Sequence, residues 1–234
     1  MNNPIKSLSK KEICLWILSI LIIILSNTFS SRIDLLTIIA ACIGITSLVF
    51  AAKGNAWAQI LMIIFAILYS IISYRLHYYG EMITYLGMSL PMAIFSAITW
   101  FKNSSGDTVK IEKISLKKII LVISLSVPVT IGFYFILKAL NTPNLLFSTI
   151  SITTSFLAST FTLLRTSLYA VGYALNDLVL IVLWVLASFH DTSYISVVVC
   201  FAVFLANDIY GFISWKRMGR KQAENNVISA CREN

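Results

Sequence analysis

Ile17-Leu18-Ser19-Ile20-Leu21-Ile22-Ile23-Ile24-Leu25 is the stretch on which the fold turns. It is apolar at every position but Ser19 and does not alternate with polar residues. A transmembrane barrel strand would alternate. In lipid a free backbone group has no partner, so such a run has to be a helix. Working outward, eight runs of this kind can be marked, roughly 13–30, 34–51, 57–75, 82–101, 118–137, 147–164, 168–188 and 194–215. Each is near the ~20 residues that cross a bilayer core. The chain of 234 residues is 58% hydrophobic and 12% charged, with a mean hydropathy of +0.86. An ordinary soluble domain is nearer half apolar and a quarter charged, and a chain of this size cannot hide so much apolar surface from water. The expected fold class is an all-α membrane protein of about eight transmembrane helices.

The net charge of +8 has a topological explanation. The basic residues sit in short segments between apolar runs and form no continuous basic face, so no nucleic-acid partner is expected. With eight spans and the N-terminus inside, fifteen of the 18 Lys and Arg fall inside. They are Lys6, Lys10, Lys11, Lys53, Lys102, Lys110, Lys113, Lys117, Lys118, Arg165, Lys216, Arg217, Arg220, Lys221 and Arg232; Arg32, Arg75 and Lys138 fall outside. This positive-inside bias supports the span count and places both termini in the cytoplasm of a bacterial plasma-membrane protein. Lys10-Lys11, the short Ile/Leu run and the polar segment Ser26 to Ser31 also fit a signal peptide. A retained first helix is expected; cleavage would leave seven spans. The polar stretch Lys102–Lys118 reads as a loop. The basic tail from Lys216 is expected to be partly disordered. Cys14, Cys42, Cys200 and Cys231 fall in different segments, with no metal or disulfide spacing.

An internal repeat emerges from the span ends. Spans 2–4 close with Phe95-Ser96-Ala97-Ile98-Thr99-Trp100-Phe101-Lys102, and spans 6–8 with Tyr210-Gly211-Phe212-Ile213-Ser214-Trp215-Lys216-Arg217. Each ends in Trp followed closely by a basic residue, an interface anchor. Lys53 and Arg165 occupy matching inter-span loops. The expected organisation is a tail and first helix over 1–33, a three-helix repeat over 34–101, a cytoplasmic loop and linking helix over 102–146, a second repeat over 147–217 and a basic tail over 218–234. Parallel repeats are a transporter architecture, with the substrate near the midplane between them.

Polar groups inside the spans mark the candidate site. On span 7, Tyr169, Tyr173, Asn176 and Trp184 recur at helical spacing with position 180, and Asp177 lies one position round. Span 8 carries Asn207-Asp208, with Asn207, Tyr210 and Ser214 on one stripe. An ionised Asp near the bilayer centre costs at least ~3 kcal/mol, so it turns toward a cavity or a partner. Carboxylates beside aromatic faces suit a flat cationic ligand, and Asn offers both a donor and an acceptor. The structural alternative is that Asn and Asp act as interhelical glue. Second-rank candidates are Gln59, Tyr69 and Ser73 on span 3 and Tyr85 on span 4, where Pro91 would bend the helix. An enzyme is not expected: His77 and His190 lie in predicted outside loops, and HExxH and GxSxG are absent from the sequence. No catalytic residue, metal or cofactor is assigned.

Tyr69-Ser70-Ile71-Ile72-Ser73-Tyr74-Arg75, Tyr79-Gly80-Glu81-Met82, Pro91-Met92, Tyr169 to Trp184, Cys200-Phe201 and Asn207-Asp208-Ile209-Tyr210-Gly211-Phe212 with Trp215 carry a resemblance. Over about residues 34–220 the chain resembles the PnuC-type nicotinamide riboside transporters, in particular their Gram-positive branch. The resemblance implies a SWEET-like three-one-three helix architecture, sometimes with an extra N-terminal helix. It also implies uptake of an NAD precursor by facilitated diffusion, with trapping by a separate kinase. The family's binding motif is WxxWxxxN. Matching its Asn to Asn176 places its two Trp at Tyr169 and Gly172, so one aromatic is conserved in type and Gly172 departs. Tyr173 is the neighbouring ring. Related members carry thiamine, riboflavin or deoxynucleosides, and of these only thiamine shares the positive charge that Asp177 favours. The implied partners are a small cationic molecule and the lipid bilayer; a homo-oligomer and a non-transporting assembly or sensor role stay open.

Overall fold

A computed structural model describes Ile5 and residues 8–28 and 34–233, with side chains through residue 225 except that of Thr28. Lys6 and Arg32 of the charge count, and part of the segment Ser26 to Ser31, lie outside the described residues. The helices are α1 (Lys10–Thr28), α2 (Leu35–Ala52), α3 (Trp57–Arg75), α4 (Tyr79–Thr84), α5 (Leu90–Lys102), α6 (Leu116–Ala139), α7 (Leu145–Leu163), α8 (Leu168–Ser188) and α9 (Ile195–Glu233). A π-helical turn, Tyr85–Ser89, joins α4 to α5, so the two form one span. Seven spans among the described residues are long and apolar enough to cross a membrane. The 19-residue α1, with Ile17, Leu18, Leu21 and Leu25 turned outward, is the eighth long helix. This is the all-α multi-pass membrane fold expected.

Local chemistry sets the helix ends. Asp34 caps α2 by accepting from Leu36 N and Thr37 Oγ1, and Ser115 caps α6 by accepting from Lys118 N. Such caps satisfy orphan N–H groups of a first turn. In span 4, Leu90 N reaches back to Tyr85 O, and Pro91 follows in the first turn of α5. A proline removes one backbone donor, and a wider π turn absorbs that loss.

Six spans make the core and two flank it. α8 packs between α7 and α9, α2 between α3 and α9, and α5 between α3 and α7. α1 lies against α2 and α9; α6 lies against α7 and α4. α6 exposes Ile120, Leu121, Ile123, Leu125, Val127 and Phe135, a surface that lipid covers.

One end of the bundle is basic, carrying Lys53, Lys102, Lys110, Lys113 and Arg165; Arg75 and Lys138 end helices at the opposite end. At the basic end two corners are built alike. Asn55 N donates to Phe50 O, and Thr166 N to Phe161 O. Asn55 Oδ1 accepts from Trp57 N, and Thr166 Oγ1 from Leu168 N. Gly54 (φ 67°) and Arg165 (φ 54°) turn these corners through the left-handed region, which suits glycine and strains arginine. Lys53 pairs with Glu12 at 3.2 Å and Arg165 with Glu112 at 2.8 Å.

Residues 103–115 are more than a loop. Ser104–Ser105 and Thr108–Val109 form a short antiparallel hairpin. Val109 N donates to Gly54 O, and Glu112 N to Arg165 O, so the segment straps both corners. Gln222 on α9 clasps it, accepting from Ile111 N and donating to Val109 O. The tail expected to be partly disordered is instead a continuation of α9 through Glu233. Its Lys, Arg, Gln, Ala and Glu residues favour helix, and the Gln222 clasp fastens it.

The buried acidic and aromatic centre

α8 orders the site by depth. Tyr169 lies near the basic end, Tyr173, Asn176 and Asp177 near the middle, and Trp184 near the opposite end. Tyr169 packs edge-on against Trp215 at 4.7 Å, and Trp215 lies 5.3 Å from Trp100. These rings close the basic end. At the other end Trp184 packs on Tyr78 at 4.6 Å and on Tyr194 at 5.4 Å. Tyr78 lies between two spans; burial pushes its hydroxyl up to about 12, so it remains a neutral phenol.

Between the two aromatic layers, Asp177 and Asp208 are 3% and 2% exposed. Their carboxyls face each other across the α8–α9 contact within hydrogen-bonding reach. Asp177 Oδ2 has no hydrogen-bond partner among the described residues. Tyr173 lies close to Ser159 and Thr162 of α7 and near both carboxyls. Asn176 is tied to α7: its Oδ1 accepts from Thr154 Oγ1 at 2.8 Å and Ser155 Oγ at 2.9 Å.

The second-rank residues divide. Tyr69 and Tyr85 meet at 4.4 Å, and Trp184 Nε1 donates to Tyr69 Oη at 3.1 Å, so α3, the π turn and α8 join through three of the chosen residues. Ser73 is buried with no hydrogen-bond partner for its hydroxyl among the described residues. Gln59 is buried in the first turn of α3, at the basic end and away from this group. Asn207 and Tyr210 face α1 instead of the centre: Asn207 Nδ2 donates to Ser19 Oγ, and Tyr210 Oη to Glu12 Oε1.

Position 172 of the motif is occupied by the neighbouring helix. A Cβ on Gly172 would lie 2.7 Å from Ala158 Cα, so α7 and α8 touch where the motif would carry a second tryptophan.

Sequence reasoning missed Glu81. It is 1% exposed, and Ser151 Oγ donates to it at 3.3 Å. The hydropathy pattern starts the span at residue 82 and places this carboxylate in a loop. The signal was a glutamate one residue before a span, inside Tyr79-Gly80-Glu81-Met82.

A bundle jacketed in apolar side chains and lined centrally by carboxyls and tyrosines is the architecture of a membrane transport protein. The chain belongs to the nicotinamide mononucleotide transporter family, whose model matches residues 34–217. It is 24% identical over 192 residues to the nicotinamide riboside transporter PnuC of Neisseria mucosa, covering 79% of this chain and 73% of that protein. Its fold matches the crystal structure of the vitamin B3 transporter PnuC with a TM-score of 0.81 at 22% identity, over 92% of this chain and 94% of that one. The resemblance drawn from the sequence therefore holds at the level of the family, which is one of transporters and not of enzymes.

Proposed function

We propose that this protein takes up nicotinamide riboside by facilitated diffusion, and that an intracellular kinase traps the product for NAD synthesis. The family carries the name of the mononucleotide, whereas the Neisseria mucosa relative carries that of the riboside. One observation favours the riboside. The charged side chains fully buried among the described residues are Glu12, Glu81, Asp177 and Asp208, all acidic. A pyridinium nucleoside brings a positive charge to such an interior. Glu12 is paired with Lys53; the other three have no cationic partner among the described residues, so a phosphate beside them would meet only like charge, uncompensated in low dielectric.

In this reading Asp177 and Asp208 offset the ring's charge, while Tyr69, Tyr85 and Tyr173 offer faces and hydroxyls. Asn176, Tyr169 and Trp184 shape the walls around them. The groups 34–101 and 147–217 act as two repeats that rock about the centre, with the basic end and both termini in the cytoplasm of a bacterial plasma membrane. Thiamine, also cationic, is the competing substrate.

The test is flux into liposomes that hold the purified protein. Labelled nicotinamide riboside should equilibrate without a proton gradient, and nicotinamide mononucleotide should not enter. Faster entry of the mononucleotide, or of thiamine, would overturn the assignment.

A further inference from the structure

Glu81 lies third in α4, at the end of the bundle opposite the basic one. A buried carboxylate has to be paired or well hydrogen-bonded. Here the supply is thin. Ser151 Oγ, the donor at 3.3 Å, is closer to Ser148 O at 2.8 Å, and a hydroxyl has one proton to give. No ion pair joins Glu81 to another described residue.

What surrounds it is aromatic. Tyr69, Tyr78 and Tyr85 all lie within electrostatic reach of the carboxylate. Tyr85 is one helical turn beyond Glu81, at the first residue of the π turn, and packs at a tilt on Tyr69. Thr142, packed against Gly80, and Ser73, one turn from Tyr69, bring buried hydroxyls without partners among the described residues. A buried carboxylate with tyrosines close by is chemistry that suits an organic cation. A glutamate in a first turn also steadies the helix dipole, but an exposed side chain does that equally well.

We propose that Glu81 is a specificity-determining residue which, with the tyrosines around it, selects the positively charged form of the substrate at this end of the bundle. Tyr85 lies within electrostatic reach of both Glu81 and Asp177, so this station adjoins the aspartate pair. The proposal rests on the nicotinamide riboside reading and adds to it the residue that discriminates by charge.

Binding to the purified full-length protein tests it, with nicotinamide riboside and its dihydropyridine form, the same skeleton without the positive charge. Glu81→Gln should weaken binding of the cation by about tenfold, the scale of one lost charge contact with a desolvated site. It should leave the uncharged form within about twofold of wild type, below the change expected for one lost contact. Equal loss for both compounds, or no loss for either, overturns the assignment of Glu81. Wild-type protein that binds neither compound overturns the riboside reading and the proposal with it; wild type that binds the cation isolates the question to Glu81. Should Glu81→Gln not fold, Glu81→Asp carries the test: it keeps the charge but draws it back by one methylene, so the ratio of cation to dihydro affinity should fall; a ratio at or above wild type overturns the proposal.

Discussion

Trp100 and Trp215 lie ring against ring, and each anchors to the helix that opens the other half of the bundle. Trp100 Nε1 donates to Thr162 O near the end of α7, and Trp215 Nε1 donates to Ala51 O near the end of α2. α2 therefore leans on α9 and α7 on α5, with the indole pair where the halves meet.

Replacing either indole with phenylalanine keeps a ring and removes the N–H. Trp100→Phe and Trp215→Phe should each cost about 2–3 kcal/mol of stability, one lost hydrogen bond plus the cavity left in a fully buried site. Because the rings touch, the double variant should depart from additivity by about 0.5 kcal/mol or more. Thermal unfolding in detergent measures both; additive losses would show that the two anchors act independently.

Asp177 and Asp208 face each other, so asparagine at either position preserves volume and hydrogen bonding while removing a carboxyl. Asp177→Asn and Asp208→Asn should each give folded protein with cation affinity lowered by about tenfold. The double variant should lower the cation's affinity further while leaving the uncharged nucleoside's unchanged, the remaining preference being the part that Glu81 holds. Titration calorimetry reads this, and undiminished cation binding by the double variant would assign the pair to interhelical glue.

Gly172 has no room for a side chain against Ala158. Gly172→Ala should destabilise the α7–α8 contact by about 1–3 kcal/mol, the usual cost of overpacking. Gly172→Trp, which would restore the family motif in sequence, should abolish the monodisperse peak in size-exclusion chromatography. A stable, binding-competent Gly172→Trp protein would mean that α7 yields easily.

Gln222 clasps the strap from both sides, through Ile111 N and Val109 O. Gln222→Ala should release it and speed trypsin cleavage at Lys110 and Lys113, leaving the membrane spans intact. Cleavage times on gels would show it; unchanged protection would mean that the Gly54 and Arg165 contacts suffice.

The helices were legible because lipid permits few alternatives to them, and the positively charged segments do gather at one end. Tyr169, Tyr173, Asn176 and Asp177 were legible as a helical stripe, and the structure buries or half-buries all four. Partners were not. Nothing in the sequence tells that Asn176 spends its oxygen on Thr154 and Ser155, or that Asn207 turns to Ser19, because such choices depend on which helices become neighbours. The π turn is not legible in the sequence because it is a local compromise around Pro91. Nor is Glu81, because hydropathy ends a span at a charge, while the fold continued the helix past it and buried it against α7.

The strap has a further consequence for the order in which the chain is made. Its contact with Gly54 lies wholly within the first 109 residues, whereas those with Arg165 and Gln222 join it to chain made later. The strap is thus a short segment at the basic end that needs both early and late parts of the chain for its full set of hydrogen bonds.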